Sequence, residues 1–518
     1  MPTSPFRGLS VFILFLATLL PNAAHALRDA DVTAAVENEL FYDHAVSANN
    51  IITSTDRGVV TLRGSVSNLL AKERAVRIAE TVKGVRSVVD LIKVVPGKRA
   101  TDGEIAQAIE QALLEDPATD SYEVSVKVQD RHATLTGTVD SWDEKSLSEK
   151  IAKGVRGLTK VTNKITISYT SKRPDREIEA EIAQALRWNN LVDDGLIDVQ
   201  AKNGAVKLTG TVGSAAERRQ ARLTAWTSGV QSVDDSGLEV ERWARDDDLR
   251  RDKYLSKTDE EIRKAVQAAM LRDPRVAAFN VTPSVAGGSV RLHGVVENLR
   301  AKRAAEQDAR HTVGVHTVKN YLKVRPADQR DDMAIEDDIR AAFGRDPYVE
   351  RYEAAVSVYG GMAYLSGTMD SHFERSRADE LASRIEGVVA VVNRIHVDPS
   401  RPDPADPWVD PLGLYRDTWL SHRPYLSMKE DLQIKKDIES ELFWSPFVDS
   451  DAVSVAVDLG VATLSGTVDS YMEKQAALDN AYEGGAVHVR NKIEVDRSWD
   501  ESRARAGEGY VVGVQQLL

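Results

Sequence analysis

The sequence predicts an α+β fold built from six tandem small α-β-β-α-β domains. Each would pack two helices on one face of a three-stranded sheet. Three observations predict it. One phrase recurs six times, as Val60-Thr-Leu-Arg-Gly-Ser-Val66, Ala133-Thr-Leu-Thr-Gly-Thr-Val139, Val206-Lys-Leu-Thr-Gly-Thr-Val212, Val290-Arg-Leu-His-Gly-Val-Val296, Ala363-Tyr-Leu-Ser-Gly-Thr-Met369 and Ala462-Thr-Leu-Ser-Gly-Thr-Val468. An apolar stripe at helical spacing precedes every phrase, and a glycine followed by an alternating segment closes every copy. A fixed internal order of this kind marks one small unit copied along the chain.

The first element of each copy is an amphipathic helix. Ile105, Ile109 and Leu113 recur at four-residue spacing. So do Ile178, Ile182 and Leu186, and the corresponding triplets that start at Val32, Ile262, Ile335 and Ile434. That spacing lays one apolar stripe along a helix. Thr101-x-x-Glu104 and Thr258-x-x-Glu261 read as capping boxes at helix starts. Asp116-Pro117, Asp273-Pro274, Asp346-Pro347 and Ser445-Pro446 mark the stops, because the residue before proline disfavours helix.

A β-hairpin follows. Val124, Val126 and Val128 alternate with polar residues, and turns such as Lys202-Asn203-Gly204 lead into the repeated phrase. Its leucines, Leu62, Leu135, Leu208, Leu292, Leu365 and Leu464, should therefore face the helices. The signature glycines are Gly64, Gly137, Gly210, Gly294, Gly367 and Gly466. Glycine inside a strand is costly unless backbone approaches closely or bulges there. A second helix, such as 141–155, ends at Gly84, Gly157, Gly229, Gly314, Gly387 or Gly485. A last strand closes each unit, as in Val161-Thr-Asn163-Lys-Ile165-Thr-Ile167. Copy three carries one extra residue there, near Ser236-Gly237, which suggests a bulge.

This unit resembles the BON domain, a bacterial module named for osmotically inducible and nodulation proteins. The resemblance rests on the Val-x-Leu-x-Gly-x-Val strand and the Gly-Val-x-x-Val-x-Asn-x-Ile-x-Val ending, repeated in the same order six times. It implies a periplasmic or envelope location, a role in stress or envelope integrity, phospholipid binding and no enzyme activity. Six copies depart from the two of familiar exported members, which points towards a scaffold.

The organisation reads as a signal peptide over 1–26 and BON-like copies over 27–98, 99–170, 171–241, 257–326, 327–398 and 427–497. A charged linker covers 242–256, a proline- and aromatic-rich linker 399–426, and a tail 498–518. The two linkers divide the chain as three copies, then two, then one. Arg7, the apolar run Leu9–Leu20 and Ala24-His25-Ala26 have the pattern of a cleaved export signal. The expected location is periplasmic or secreted, with no transmembrane span after signal removal.

Cysteine is absent, which excludes disulfides and thiol catalysis. The net charge of −13 argues against nucleic acid as a partner. Copy four is the exception, with 13 basic and 7 acidic residues over 257–325. Arg300, Lys302, Arg303 and Arg310 fall on its second helix. They are candidate contacts for an anionic phospholipid, or for an acidic neighbouring copy. Trp408 and Trp419 are candidate interfacial anchors, with packing of the linker against its neighbouring domains as the alternative. The ten histidines are scattered, and no nucleophile elbow, phosphate loop or calcium loop is present. No catalytic residue, metal ligand or cofactor is assigned. The partners expected are anionic phospholipid or envelope proteins, with a protein-interaction scaffold or a periplasmic chaperone-like binder as the alternatives.

Overall fold

The computed structural model describes residues 27–43, 45–46, 50–97, 100–119, 124–169, 173–245, 253, 257–273, 275–276, 280–349, 354–369, 371–398, 430–445, 447–468 and 470–495. The expected signal segment, Trp408, Trp419 and the tail lie outside the described residues.

Every copy has the order helix, hairpin, helix, strand. The first helices are α1 (Asp29–Tyr42), α3 (Asp102–Glu115), α5 (Asp175–Trp188), α7 (Asp259–Arg272), α9 (Asp332–Arg345) and α11 (Asp431–Trp444). The second helices are α2 (Leu69–Glu80), α4 (Trp142–Lys153), α6 (Ala215–Thr224), α8 (Leu299–Arg310), α10 (His372–Arg384) and α12 (Tyr471–Glu483). Both predicted capping boxes form, at Thr101 and Thr258. Asn68, Ser141, Ser214, Asn298, Ser371 and Ser470 cap the second helices.

In copy one the strands are β1 (Ile51–Asp56), β2 (Val59–Val66) and β3 (Ser87–Val94), with β2 central. β1 pairs antiparallel with β2, and β3 pairs parallel to it after the α2 crossover. Copy two repeats this with β4 (Val124–Gln129), β5 (His132–Val139) and β6 (Lys160–Ile167), and copy three with β7 (Ile197–Lys202), β8 (Ala205–Val212) and β9 (Ser232–Val240). Copy four has β10 (Val281–Ala286), β11 (Ser289–Val296) and a last strand split into β12 (Thr317–Asn320) and β13 (Lys323–Val324). Copy five has β14 (Ala354–Tyr359), β15 (Met362–Met369) and β16 (Ala390–Val397). Copy six has β17 (Val453–Asp458), β18 (Val461–Val468), β19 (His488–Asn491) and β20 (Glu494–Val495). The bulge expected in copy three is present, where the β8–β9 register shifts between Lys207 and Thr209.

The period-two pattern orients the sheets as expected. Leu62, Leu135, Leu208, Leu292, Leu365 and Leu464 are all 0% exposed, under the helices. The signature glycine has a backbone reason. Gly466 sits at φ +135°, and a Cβ there would lie 2.0 Å from the carbonyl oxygen of Ala452, at the start of the paired strand. Gly210 repeats this against Leu196. The residue permits a close hairpin crossing that no side chain fits.

A second repeated device ties helix to hairpin. Asp29, Asp102, Asp175, Asp259, Asp332 and Asp431 each open a first helix. Each carboxylate accepts two consecutive main-chain N–H groups from its own hairpin turn, as Asp332 does from Gly360 at 2.7 Å and Gly361 at 2.9 Å. Both turn residues have positive φ, for instance Asn203 (53°) and Gly204 (75°). This is the two-residue turn whose twist suits a hairpin.

The six copies do not lie as beads on a string. They close into two rings of three. One position, the first residue of the second helix, reaches the next copy each time. Leu69 enters the core of copy two, Ala215 that of copy one, and Leu299 that of copy five. Trp142 stacks on Trp226 of copy three at 5.0 Å, and the His372 ring meets Tyr482 of copy six at a tilt, 4.4 Å between centroids. Tyr471 lies beneath the Arg310 guanidinium of copy four at 5.3 Å. The contacts run one to two to three to one, and four to five to six to four. The three-two-one division is therefore corrected to three and three.

The rings join through pairs of equivalent elements. The N–H before a closing glycine donates to a carbonyl at the end of a first helix in the other ring. Arg156 donates to Arg345 at 2.9 Å, and Glu386 reciprocates to Glu115 at 3.2 Å. Val313 donates to Trp188 and Lys83 to Trp444. These bonds link copies two and five, three and four, and one and six. A second contact, beyond the first-helix ends, links one with five through the Tyr348 hydroxyl, which donates to the Ala45 carbonyl at 3.1 Å. The pattern is that of two trimeric rings related by pseudo-twofold axes, the arrangement of a dihedral hexamer within one chain.

The charged linker is partly built into this assembly. Residues 242–245 form a helical turn with Ala244 buried. The Lys253 ammonium is buried and donates to the carbonyls of Leu186 and Val192 in copy three. The charged linker read over 242–256 therefore packs into the assembly at Ala244 and Lys253.

Candidate functional site

The basic cluster expected on the second helix of copy four is divided between junctions. Arg300, the second residue of α8, enters the contact with copy two and pairs with Asp116, both side chains being largely buried. Burial lowers the Arg300 pKa, and the Asp116 carboxylate opposes that shift. Arg303 pairs at 2.6 Å with Asp379 of copy five. Arg310 pairs with Glu306 on its own helix and covers Tyr471 of copy six. Lys302 gives its carbonyl to the Asn320 side-chain amide at 2.8 Å. The geometry brings three of the four to carboxylates within the assembly.

Lys302 belongs to a repeated set: Lys72, Lys145, Arg218, Lys302, Arg375 and Lys474 share its place on the second helices. At four of these places an asparagine from the last strand binds the helix carbonyl: Asn163, Asn320, Asn393 and Asn491. The clasp fixes the last strand under its helix in these four copies.

Two part-buried ionisable groups lie at contacts of copy four: Asp143 of copy two lies near Asp273, and His311 meets copy three at Asn190. Burial, and then the nearby Asp273 carboxylate, push the Asp143 carboxyl up to about 6. Burial, and then Arg275 and Arg310, push the His311 imidazole down to about 4. His311 gives its carbonyl to the Asn190 N–H at 3.0 Å. Among the described residues no group of His, Cys, Asp or Glu side chains could hold a metal ion.

With the second helices turned to the junctions, the outward sheet faces stay open. In copy four the outward residues alternate along the strands, as Arg291 and His293 on β11, Thr317 and Lys319 on β12, and Lys323 on β13, all exposed. Arg291 and Lys319 are direct neighbours across the parallel pair. His293 stacks on exposed Tyr321 at 5.2 Å. Strands β10 to β13 contain no Asp or Glu. The candidates drawn from the sequence missed this surface, although the period-two spacing of Arg291 with His293 and of Lys319 with Lys323 carried the signal. The signature glycines lie within the hairpins and position backbone.

The BON domain family matches residues 28–96, 101–169, 174–242, 258–326, 331–399 and 430–497. The chain is 35% identical over 143 residues to the osmotically-inducible protein Y of Escherichia coli (strain K12), covering 26% of this chain and 71% of that protein. Two solved structures are also similar. One is CdsD, a structural protein of the type III secretion system of Chlamydia trachomatis, at 16% identity and TM-score 0.11, covering 39% of this chain and 89% of that one. The other is the C-terminal domain of CdsD, at 15% identity and TM-score 0.11, covering 42% and 100%.

Proposed function

Because the chain belongs to the BON domain family, we propose that it is an osmotic-stress protein of the cell envelope that acts by binding and not by catalysis. The observation that carries this reading is the double ring. It commits the second helices and the ends of the first helices to contacts between copies, and leaves the sheet faces among the surfaces available to partners. A rigid body displaying several flat faces suits attachment to an extended surface better than turnover of a small substrate, which needs a concave site.

The partner proposed is anionic phospholipid, met after export to the periplasm or beyond and removal of residues 1–26. Among the described residues no helix is long and apolar enough to cross a membrane. Flotation of the mature protein with vesicles of phosphatidylglycerol and phosphatidylcholine tests the reading. Co-flotation with the anionic vesicles is expected, and its absence would reject phospholipid as the partner. Periplasmic extraction, with and without osmotic upshift, tests location and stress response.

A protein-interaction scaffold is the second reading. It is favoured by Phe41 (48% exposed) and Phe443 (49% exposed), which hold equivalent places at the ends of α1 and α11, where copies one and six meet. Capture of an envelope protein that F41S/F443S abolishes, without vesicle binding, would select it.

A further inference from the structure

We propose that the outward sheet face of copy four, centred on Arg291, Lys319 and Lys323, is the surface that docks on anionic phospholipid headgroups. The inference rests on the phospholipid reading above and assigns its site, away from the basic helix.

Like charges placed directly opposite on neighbouring strands destabilise a sheet. Arg291 and Lys319 are so placed, and Lys323 follows on the same face opposite Val295. Among the described residues no carboxylate pairs with any of the three, in a chain of net charge −13. Three exposed cations kept together without a counter-ion are complementary to an external anion. By contrast, Arg300, Arg303 and Arg310 already have carboxylate partners.

The face is a sheet surface rather than a cleft, which matches a surface and not a small anion. Its aromatic pair fits the same partner. Tyr and His present an apolar body with a polar tip, which suits the headgroup level of a membrane. Because His293 and Tyr321 are stacked on each other, one ring face of each is already covered, which weakens the platform on which nucleic-acid bases would stack. The acidic copies do not cancel the attraction, since exposed charges are screened beyond about 8–10 Å at physiological salt.

The test uses the mature full-length protein and the variant R291S/K319S/K323S, with vesicles of phosphatidylglycerol and phosphatidylcholine and with phosphatidylcholine alone. The three side chains are exposed, so matching thermal melts are expected and confirm that the variant is folded. The unmodified protein should bind the anionic vesicles, lose them as salt is raised, and ignore phosphatidylcholine. The variant should bind about 100-fold more weakly, as three cations near an anionic surface would give. Inorganic phosphate at millimolar concentration should not compete. Failure of the unmodified protein to bind anionic vesicles would overturn the phospholipid reading and this site with it. Unchanged binding by the folded variant would overturn the site alone. Displacement by phosphate, or preference for single-stranded DNA over vesicles, would also overturn it.

Discussion

Glu386 donates its main-chain N–H to the carbonyl of Glu115 at 3.2 Å, and the equivalent bond runs back from Arg156 to Arg345. Copies two and five thus meet as equals, each offering the same two elements. Around this pair, Arg345 forms an ion pair with Glu115, and the Arg156 guanidinium reaches the Asp346 carbonyl. Reciprocity of this kind is what an isologous contact between identical subunits would show.

The pair makes an asymmetric prediction. Replacing Glu115 with Gln leaves Arg345 in a largely buried place without its counter-charge. The loss should be about 3 kcal/mol, whereas E115L/R345M together should cost less than E115Q alone. Urea midpoints of the two variants and the parent measure this. Equal losses from the single and double changes would show that the pair carries little of the contact.

Gly466→Ala should unfold copy six selectively. The new Cβ would meet the Ala452 carbonyl oxygen at 2.0 Å, and φ +135° is strained for any L side chain. The cost should exceed about 3 kcal/mol, combining backbone strain with the clash. Hydrogen exchange should rise across β17 to β20 while copies two and three stay protected. Gly103→Ala is the control, since a Cβ there meets nothing within 4 Å.

These two positions also show where the sequence was legible. Leu-x-Gly strands, helix stripes, capping boxes and the copy-three bulge are set by interactions inside one repeat, and the strands and stripes recur six times. The Asp29 series was equally legible, standing at one fixed distance before each signature glycine, but a lone helix-start aspartate reads as a generic cap until its turn is seen. Ring closure was not legible. Its position holds Leu69, Trp142, Ala215, Leu299, His372 and Tyr471, five residue types at six junctions. Side chains that adapt to unlike partners erase the periodicity by which sequence reading works. Charge composition likewise does not say that Arg300 and Arg303 meet Asp116 and Asp379 across junctions.

The contact between copies two and four should weaken as pH rises. Asp143 has a folded value of about 6 against an ordinary 3.8, chiefly through burial and next through Asp273. The folded state therefore holds this proton more tightly than the unfolded chain. Its contribution is fully present below about 3.8 and is lost as pH rises through about 6. After allowance for solvent screening the effect is about 1–2 kcal/mol. D143N should raise the melting temperature at pH 8 and leave it unchanged at pH 4. An equal gain at both values would remove the titration argument.

Ring closure has a solution signature. A compact body of this length has a radius of gyration of about 24 Å, whereas six separate domains in a line would reach roughly 45 Å. Small-angle scattering of the mature protein should fall near the smaller value. Ala215 is the place to open a ring. It is 5% exposed and lies in the core cluster of copy one, although it belongs to copy three. A glutamate there would carry a charge into apolar surroundings with no partner. A215E should increase the radius of gyration while circular dichroism stays close to that of the parent, because each copy keeps its own leucine-centred core. The Arg219–Glu80 pair, which bridges the same two copies at 3.1 Å, should then become dispensable: R219S should destabilise the parent and have no further effect in A215E. A parent that scatters as an extended string would refute the double ring, and an additive effect of R219S in A215E would show that the two copies still meet.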